Sequence, residues 1–322
     1  MNKTEIVVSV FCLAYNEEEY IAHALESILS QKTDFRFEIL CHDDASTDST
    51  AQIIKKYANK YPDIIRPIFQ KDNQIGNGKG MNVLYNYLYP LAKGKYIAYC
   101  DGDDYWTDNN KLQKQVDFLE NNPSYTLCLH NYYFLYDDSN RLELAPCGRK
   151  DKDLSTENMI IWGNHIPQIG AALFYKDLAA NRPELYQKIG GTNGSKRFIS
   201  DMPLYIYLSK VGKVKYFSTP MSVWRRRKKG SWSSDRNIER NVSFQNDLED
   251  FFIKFDNDTN HIYALTIEQK ISRIYFDRCY LLSNYRVALK YAKKAKIKAS
   301  EWFKCLLCSF FPKTIKKVKN KR

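Results

Sequence analysis

The chain predicts an α/β protein with a mostly parallel sheet flanked by helices, followed by a helical C-terminal extension. Three observations lead there. Short β-branched apolar runs alternate with helical stretches through Cys100, the pattern of a parallel sheet covered on both faces. Three of these runs end in polar or acidic residues. Beyond about Ser234 the apolar spacing becomes helical.

The elements follow in order. Ile6–Leu13 is a buried-type strand. The carboxylates Glu17, Glu18 and Glu19 suit a helix N-terminus, and Ile21, Leu25, Ile28 and Leu29 give that helix its apolar face. Phe37–Cys41 is a second strand, leading through Asp43–Asp48 into a helix over Ser49–Ala58. Ile64–Phe69 is the third strand. A glycine-bearing loop, Asn73–Lys79, precedes a helix from Met81 to Leu91, with Gly94 as its stop signal. Tyr96–Cys100 runs directly into Asp101-Gly102-Asp103-Asp104. A helix over Lys111–Leu119 and a strand over Thr126–Tyr136 come next, and Asp137–Glu157 reads as an irregular surface region. Ile166–Tyr175 reads as buried, Gly190–Gly194 as a loop, Ser200-Asp201 as a helix start, and Val214–Phe217 and Ser222–Trp224 as strands. The last long helix, Thr266–Lys298, breaks near Ser283-Asn284.

Composition narrows the functional classes. With 44% hydrophobic and 27% charged residues the 322-residue chain has material for a core and is not a disordered polymer. No apolar run reaches the ~18 residues of a spanning helix, and the N-terminal run is too short for a secretory signal, so a cytoplasmic location is expected. The eight cysteines are scattered; Cys305 and Cys308 form one CxxC without a second pair or a suitable histidine, which favours packed thiols over a zinc site. The formal charge of +12 is local. From Arg286 to Arg322 there are 13 basic residues and one acidic residue, and the other 285 residues hold 36 of each sign. A nucleic-acid binder carries its basic patch on the folded domain, whereas here a neutral domain bears a cationic appendage.

Ligands of open α/β sheets bind beyond the carboxyl ends of the strands, where this chain puts Tyr15-Asn16, Asp43-Asp44 and Asp101–Asp104. Three carboxylates within four residues repel one another unless a cation compensates, and hard oxygen ligands suit Mg²⁺ or Mn²⁺ bound jointly with substrate phosphates. The alternative is an acidic turn capping the helix at Lys111. Its position between a buried strand and Tyr105-Trp106 favours cation and diphosphate binding.

The segments VVSVFCLAYNEEEYIAHALESILSQ, FEILCHDDASTDST and GKYIAYCDGDDYW together resemble the N-terminal half of glycosyltransferase family 2. The resemblance is dense over Val7–Tyr136 and thins to about Ser234. It implies the GT-A fold, a Rossmann-like nucleotide-sugar-binding domain with an Asp-x-Asp motif. It further implies an inverting, Mn²⁺- or Mg²⁺-dependent transferase that moves a sugar, preferably from a UDP-sugar, to a hydroxyl of a glycan or lipid-linked acceptor. By position, Tyr15 would face the base and Asp44 would accept from its ring N–H. Asp101 would lie near the ribose and donor sugar, and Asp103 would bind the metal. Asp201, in FISDMPLYIYL, matches the catalytic base, and this motif position favours that role over the alternative in which Ser200 or Asp201 is merely the helix N-cap. A helix N-terminus stabilises a carboxylate's charge and on that ground would weaken the base. In MSVWRRRKKGSWSS, Arg225 and Arg227 would meet the diphosphate. Trp224 stands where the family has tyrosine, and Arg227 where a metal-binding histidine often sits. Arginine has no lone pair for a metal but forks onto phosphate.

These expectations divide the chain into a nucleotide-sugar-binding and catalytic domain, 1–234, and a helical region, 235–322. The latter ends in a basic amphipathic tail whose apolar stretch, Trp302–Phe311, is too short to span a bilayer. Lysines on both sides suit an anionic membrane surface, which would place the protein peripherally at the cytoplasmic face. A helix packed on the catalytic domain is the plainer reading of the same stretch. A non-catalytic binder of nucleic acid or anionic surfaces, resting on the tail alone, is the alternative function.

Overall fold

The structure, a computed structural model, describes residues 5–161, 166–190, 198–227 and 238–310. Residues 191–194 of the expected loop, 228–229 of the basic segment and the tail beyond 310 lie outside the described residues. The chain divides into two compact units, residues 1–188 with 200–235, and residues 189–199 with 236–322.

The strands in chain order are β1 (Ile6–Ala14), β2 (Arg36–Asp43), β3 (Ile65–Phe69), β4 (Tyr96–Tyr99), β5 (Tyr105–Trp106), β6 (Tyr125–Tyr136), β7 (Arg141–Leu144), β8 (Lys152–Leu154), β9 (Ala172–Tyr175), β10 (Ile189–Gly190), β11 (Phe198–Ile199) and β12 (Lys213–Arg226). In the first unit ten of them form one mixed sheet with the path β3-β2-β1-β4-β9-β6-β12-β5. Strands β3, β2, β1 and β4 are parallel. Val8, Val10, Cys12 and Ala14 of β1 and the interleaved Val7 and Phe11 are all buried, as a strand covered on both faces requires. Strand β9 runs antiparallel to β4 and to β6, and β12 is parallel to β6. Thus β1, β2, β4 and β12 all end at one rim.

Helix α1 (Ile21–Leu29) buries Ile21, Leu25 and Ile28, and α2 (Thr50–Lys60) buries Ile54 and Ala58, in one core with the strands and with Leu112, Val116 and Leu119 of α3 (Lys111–Asn121). The helical segment 80–91 contains a π-helical stretch, Val83–Leu88, just ahead of Pro90, whose missing N–H cannot continue the α-helical ladder. It ends where Ala92 turns extended, so Gly94 is not its stop. A Cβ on Gly94 would lie 2.4 Å from the Ser9 backbone nitrogen; the residue is glycine because the chain passes against β1 there.

Two expectations are corrected. Residues 137–157 are not irregular throughout, since they contain β7, β8 and the first turn of the helix Thr156–Ile161. Every residue of β7 is exposed, so it has no apolar alternation to read. The two short strands after Gly212 are one long strand, β12, whose register against β6 shifts around Pro220, a residue that cannot donate to a ladder.

The second unit pairs β10 with β11 and adds α5 (Ile238–Asp258), α6 (Ala264–Leu281), α7 (Tyr285–Tyr291) and α8 (Ala299–Phe310), with α4 (Asp201–Val211) belonging to the first unit. The break between α6 and α7 falls at Ser283, which adopts a positive φ of 59°. Cys305 and Cys308 are buried there against Phe276, Tyr285 and Ala288. No helix among the described residues is long and apolar enough to cross a membrane.

Candidate active site

The rim gathers its residues by topology. Helix α4 passes into β12 through Gly212 alone, and its first residue, Asp201, lies near enough to Asp101 to raise the proton affinity of that carboxyl. Asp101 and Asp103 follow β4. Gly102 donates from its backbone to Leu13 O at 2.8 Å, and a Cβ there would press on Ala14 Cβ at 3.0 Å, which brings the acidic turn tight against the end of β1. Arg225 and Arg227 leave β12 beside it.

Carboxylates dominate the electrostatics. Burial pushes the Asp101 carboxyl up to about 7, with Asp103, Glu17 and Asp201 adding repulsion. Its Oδ1 is buried without a hydrogen-bond partner. Glu17, 7% exposed, is also pushed up to about 7, by burial and then by Asp103, against the pull of Arg227. Asp104 is buried, raised well above the usual carboxylate range by burial, and accepts from the Arg225 backbone N–H at 2.9 Å. Arg227 Nη2 donates to Glu17 Oε1 at 2.6 Å and to Asp103 Oδ2 at 3.0 Å. Burial disfavours the Arg227 charge, but Asp103 and Glu17 more than compensate and raise its proton affinity.

Arg225 has different anchors. Its Nε donates to Asp103 O at 3.0 Å and its Nη1 to Asp137 Oδ1 at 3.2 Å, while its guanidinium lies 4.2 Å from the Tyr20 ring centroid. The Tyr20 phenol itself carries a raised proton affinity, from burial first. An open cavity of about 360 Å³ adjoins these groups, lined by Asn16, Glu18, Tyr20, Asp48, Asp137 and Arg227 among others.

At Asp201 burial outweighs the effect of the helix end. The Met202 N–H donates to its Oδ1 at 2.8 Å and lowers its proton affinity, yet burial is the larger effect and the carboxyl is raised. Asp44 is fully buried. Its Oδ1 accepts from Gln74 N at 2.7 Å and its Oδ2 from Ile75 N at 2.8 Å, so it pins the 73–79 loop. Burial raises it despite those two bonds. Tyr15 directly follows β1 and is 43% exposed. The following Asn16 takes a positive φ of 56° and uses its Oδ1 to accept from Thr47 N at 2.8 Å, joining the first two motif segments.

Asp101, Asp103, Asp201, Arg225 and Arg227, which the resemblance assigns to one site, lie on one rim. Glu17, Tyr20 and Asp137 join them there without a signal in the sequence that singles them out. In the sequence Glu17 looks like a helix-start charge, but α1 begins only at Ile21, and the Glu17 N–H is held by Thr50 Oγ1 at 2.7 Å. The run of three glutamates hid which one turns inward. Asp137 lay in the stretch read as irregular.

The divalent cation implied by the resemblance can be tested against these side chains. Among the described residues no three His, Cys, Asp or Glu side chains form a metal-holding group. What the rim offers is Asp103 together with the buried, unpartnered Oδ1 of Asp101, in a carboxylate cluster short of positive charge. Such a donor set fits a hard cation that completes its shell with water and phosphate oxygens.

A sheet whose strand ends carry this cluster belongs to a recognisable class. The model for glycosyl transferase family 2 matches residues 9–181, more than half of the chain, and the chain belongs to that family. An uncharacterized protein of Mycobacterium tuberculosis is 32% identical over 232 residues, 70% of this chain and 61% of its own length, so the chain spans less than two thirds of that relative. Among solved structures, residues 1–349 of Staphylococcus aureus TarS in complex with UDP-GlcNAc superpose with a TM-score of 0.62 at 20% identity, covering 94% of this chain and 80% of that fragment. The mannosyltransferase PcManGT of Pyrobaculum calidifontis, in complex with GDP-Man and Mn²⁺, superposes with a TM-score of 0.58 at 16% identity, over 98% and 84% of the two chains. At these identities the likeness establishes the GT-A fold.

Proposed function

We propose that the protein is an inverting, metal-dependent glycosyltransferase that moves a sugar from a nucleotide-sugar donor, a UDP-sugar by preference, to a hydroxyl of a glycan or lipid-linked glycan. The observation that carries this reading is the meeting of Glu17, Asp101, Asp103 and Asp201 with two guanidinium groups at the carboxyl ends of the strands. It is supported by family membership and by the nucleotide-sugar complexes of the two GT-A neighbours.

In this reading Tyr15 lies along the nucleotide base and Asp44 accepts from its ring N–H, which requires the 73–79 loop to give up at least part of its hold on that carboxylate. Asp101 faces the ribose and donor sugar. Asp103 would hold Mn²⁺ or Mg²⁺, which when bound would supply positive charge beside the departing nucleoside diphosphate. Arg225 and Arg227 offer charge-assisted donors to the same phosphates. The acceptor hydroxyl oxygen bonds to the anomeric carbon from the face opposite the diphosphate, whose bond to that carbon breaks with its electron pair. Asp201 takes the hydroxyl proton, and its raised proton affinity makes it a stronger base than an exposed aspartate.

A lipid-linked acceptor is consistent with α8, where Trp302, Phe303, Leu307 and Phe310 are exposed beside a lysine-rich sequence. An interfacial helix of this kind would hold the enzyme peripherally on an anionic cytoplasmic leaflet. The test is a thermal-shift screen of UDP- and GDP-sugars with Mn²⁺, followed by product analysis. A donor at 100 times its Kd should stabilise the fold by about 2.7 kcal/mol. Release of nucleoside diphosphate supports transfer, and release of pyrophosphate would mark a nucleotidyltransferase instead. Salt-sensitive anion binding with no donor turnover would mark the non-catalytic alternative.

A further inference from the structure

One nitrogen of Arg227 serves two carboxylates. Its Nη2 donates to Glu17 Oε1 at 2.6 Å and to Asp103 Oδ2 at 3.0 Å. Glu17 is buried, its backbone is fixed by Thr50, and its second oxygen, Oε2, is buried without a hydrogen-bond partner. The guanidinium therefore stands at the oxygen of the residue that the proposed function gives to the metal.

We infer that Arg227 is a built-in cation competing with the divalent ion for Asp103, and that Glu17 is the positioning residue that keeps Arg227 at the rim once the ion has taken its place. This rests on the proposed function above. Two cations cannot share one carboxylate oxygen at hydrogen-bond distance without strong repulsion, so metal entry requires the Arg227–Asp103 contact to open. Glu17 gives the guanidinium somewhere to stay. Its unpartnered Oε2 can accept a second N–H, turning a single bond into a two-bond fork. Arg227 then remains beside the cation as a donor to phosphate. The arrangement makes metal binding weak before the donor arrives, because the ion must displace a resident charge. The Asp101 carboxylate lacks such a cation among its described hydrogen bonds.

Mn²⁺ binding to the full chain without donor, read by the electron paramagnetic resonance of free Mn²⁺, tests this without reference to turnover. Arg227→Met should bind Mn²⁺ about tenfold more tightly than wild type, a typical size for coupling between two sites. Glu17→Gln should bind it more weakly, since the Glu17–Arg227 ion pair is lost and the guanidinium charge bears more heavily on Asp103. The Glu17→Gln/Arg227→Met double variant should recover the tight binding of Arg227→Met, and Arg227→Lys should stay near wild type. Unchanged affinity in Glu17→Gln, with Mn²⁺ still lost in Asp103→Asn, would overturn the competition while leaving the metal assignment standing. Absence of Mn²⁺ binding in wild type, with or without UDP or GDP, would overturn both. Circular dichroism and melting of each variant separate these results from misfolding, and Glu17→Asp gives a charge-conserving control.

Discussion

At the scale of single residues, burial decides the chemistry of the rim. Asp201 carries a helix-end amide bond that favours its charge, and burial still raises its proton affinity. Replacing Asp201 by Asn should lower kcat by about 10²- to 10⁴-fold with donor binding retained, measured by steady-state kinetics alongside equilibrium donor titration. Full turnover in that variant would remove it as the base. Asp103→Ala should lower turnover by at least about 10²-fold and abolish the Mn²⁺ requirement, several kcal/mol of leaving-group stabilisation being lost. Asp101 also makes stability pH-dependent. Its carboxyl titrates near 7 when folded and near 3.8 when unfolded, so between those values the folded chain holds the extra proton. Its contribution to stability is present at low pH and lost as pH rises through 7. The buried imidazoles of His42, lowered to about 4 by burial, and His130 run the other way. The comparison that isolates Asp101 is therefore with Asp101→Asn in metal-free protein. The Tm of that variant minus the wild-type Tm should grow from pH 5.5 to pH 8, and a flat difference would refute the assignment.

Elements are held in place by a few close approaches. Gly94 lets the chain enter β4 across the backbone of β1, and the Ser9 hydroxyl, which accepts from the Gly94 N–H at 2.9 Å, donates to the buried Glu38 at 2.7 Å. Gly94→Ala should destabilise the fold by about 1–3 kcal/mol, since a rigid backbone has to move, and urea unfolding would measure it. Asp44 does the corresponding work at the other end of the sheet. Asp44→Ala leaves the Gln74 and Ile75 amides without their acceptor, at about 1–3 kcal/mol for each amide that stays buried. Faster hydrogen exchange confined to the 73–79 loop, with weaker donor binding, is the expected outcome. The legibility of elements followed their environment. Strand β1, buried on both faces, was plain from its β-branched run, whereas β7, exposed on every residue, was not. The break at Ser283 was legible because polar residues interrupt an apolar stripe there.

For the whole molecule, the sequence by itself determined the family and the kind of chemistry. Its strand ends carry polar and acidic groups in a fixed order, and position along the chain is enough to put Asp44, Asp101 and Asp103 at the carboxyl ends of strands. It also located the entire formal charge excess between Arg286 and Arg322. If the exposed face of α8 meets a membrane, Leu307→Ser/Phe310→Ser should reduce cosedimentation with anionic vesicles while leaving donor binding intact; equal binding to neutral and anionic vesicles would contradict the role given to the lysines. Tertiary structure alone decided which acidic side chains turn inward and which cation they face. Glu17 and Arg227 are 210 positions apart. Nothing local distinguishes Glu17 from Glu18 or Glu19, because its partners Thr50 and Arg227 are brought to it only when the sheet closes. Proton affinity and ion pairing depend on solvent exclusion and on distances through space, and a linear pattern carries neither.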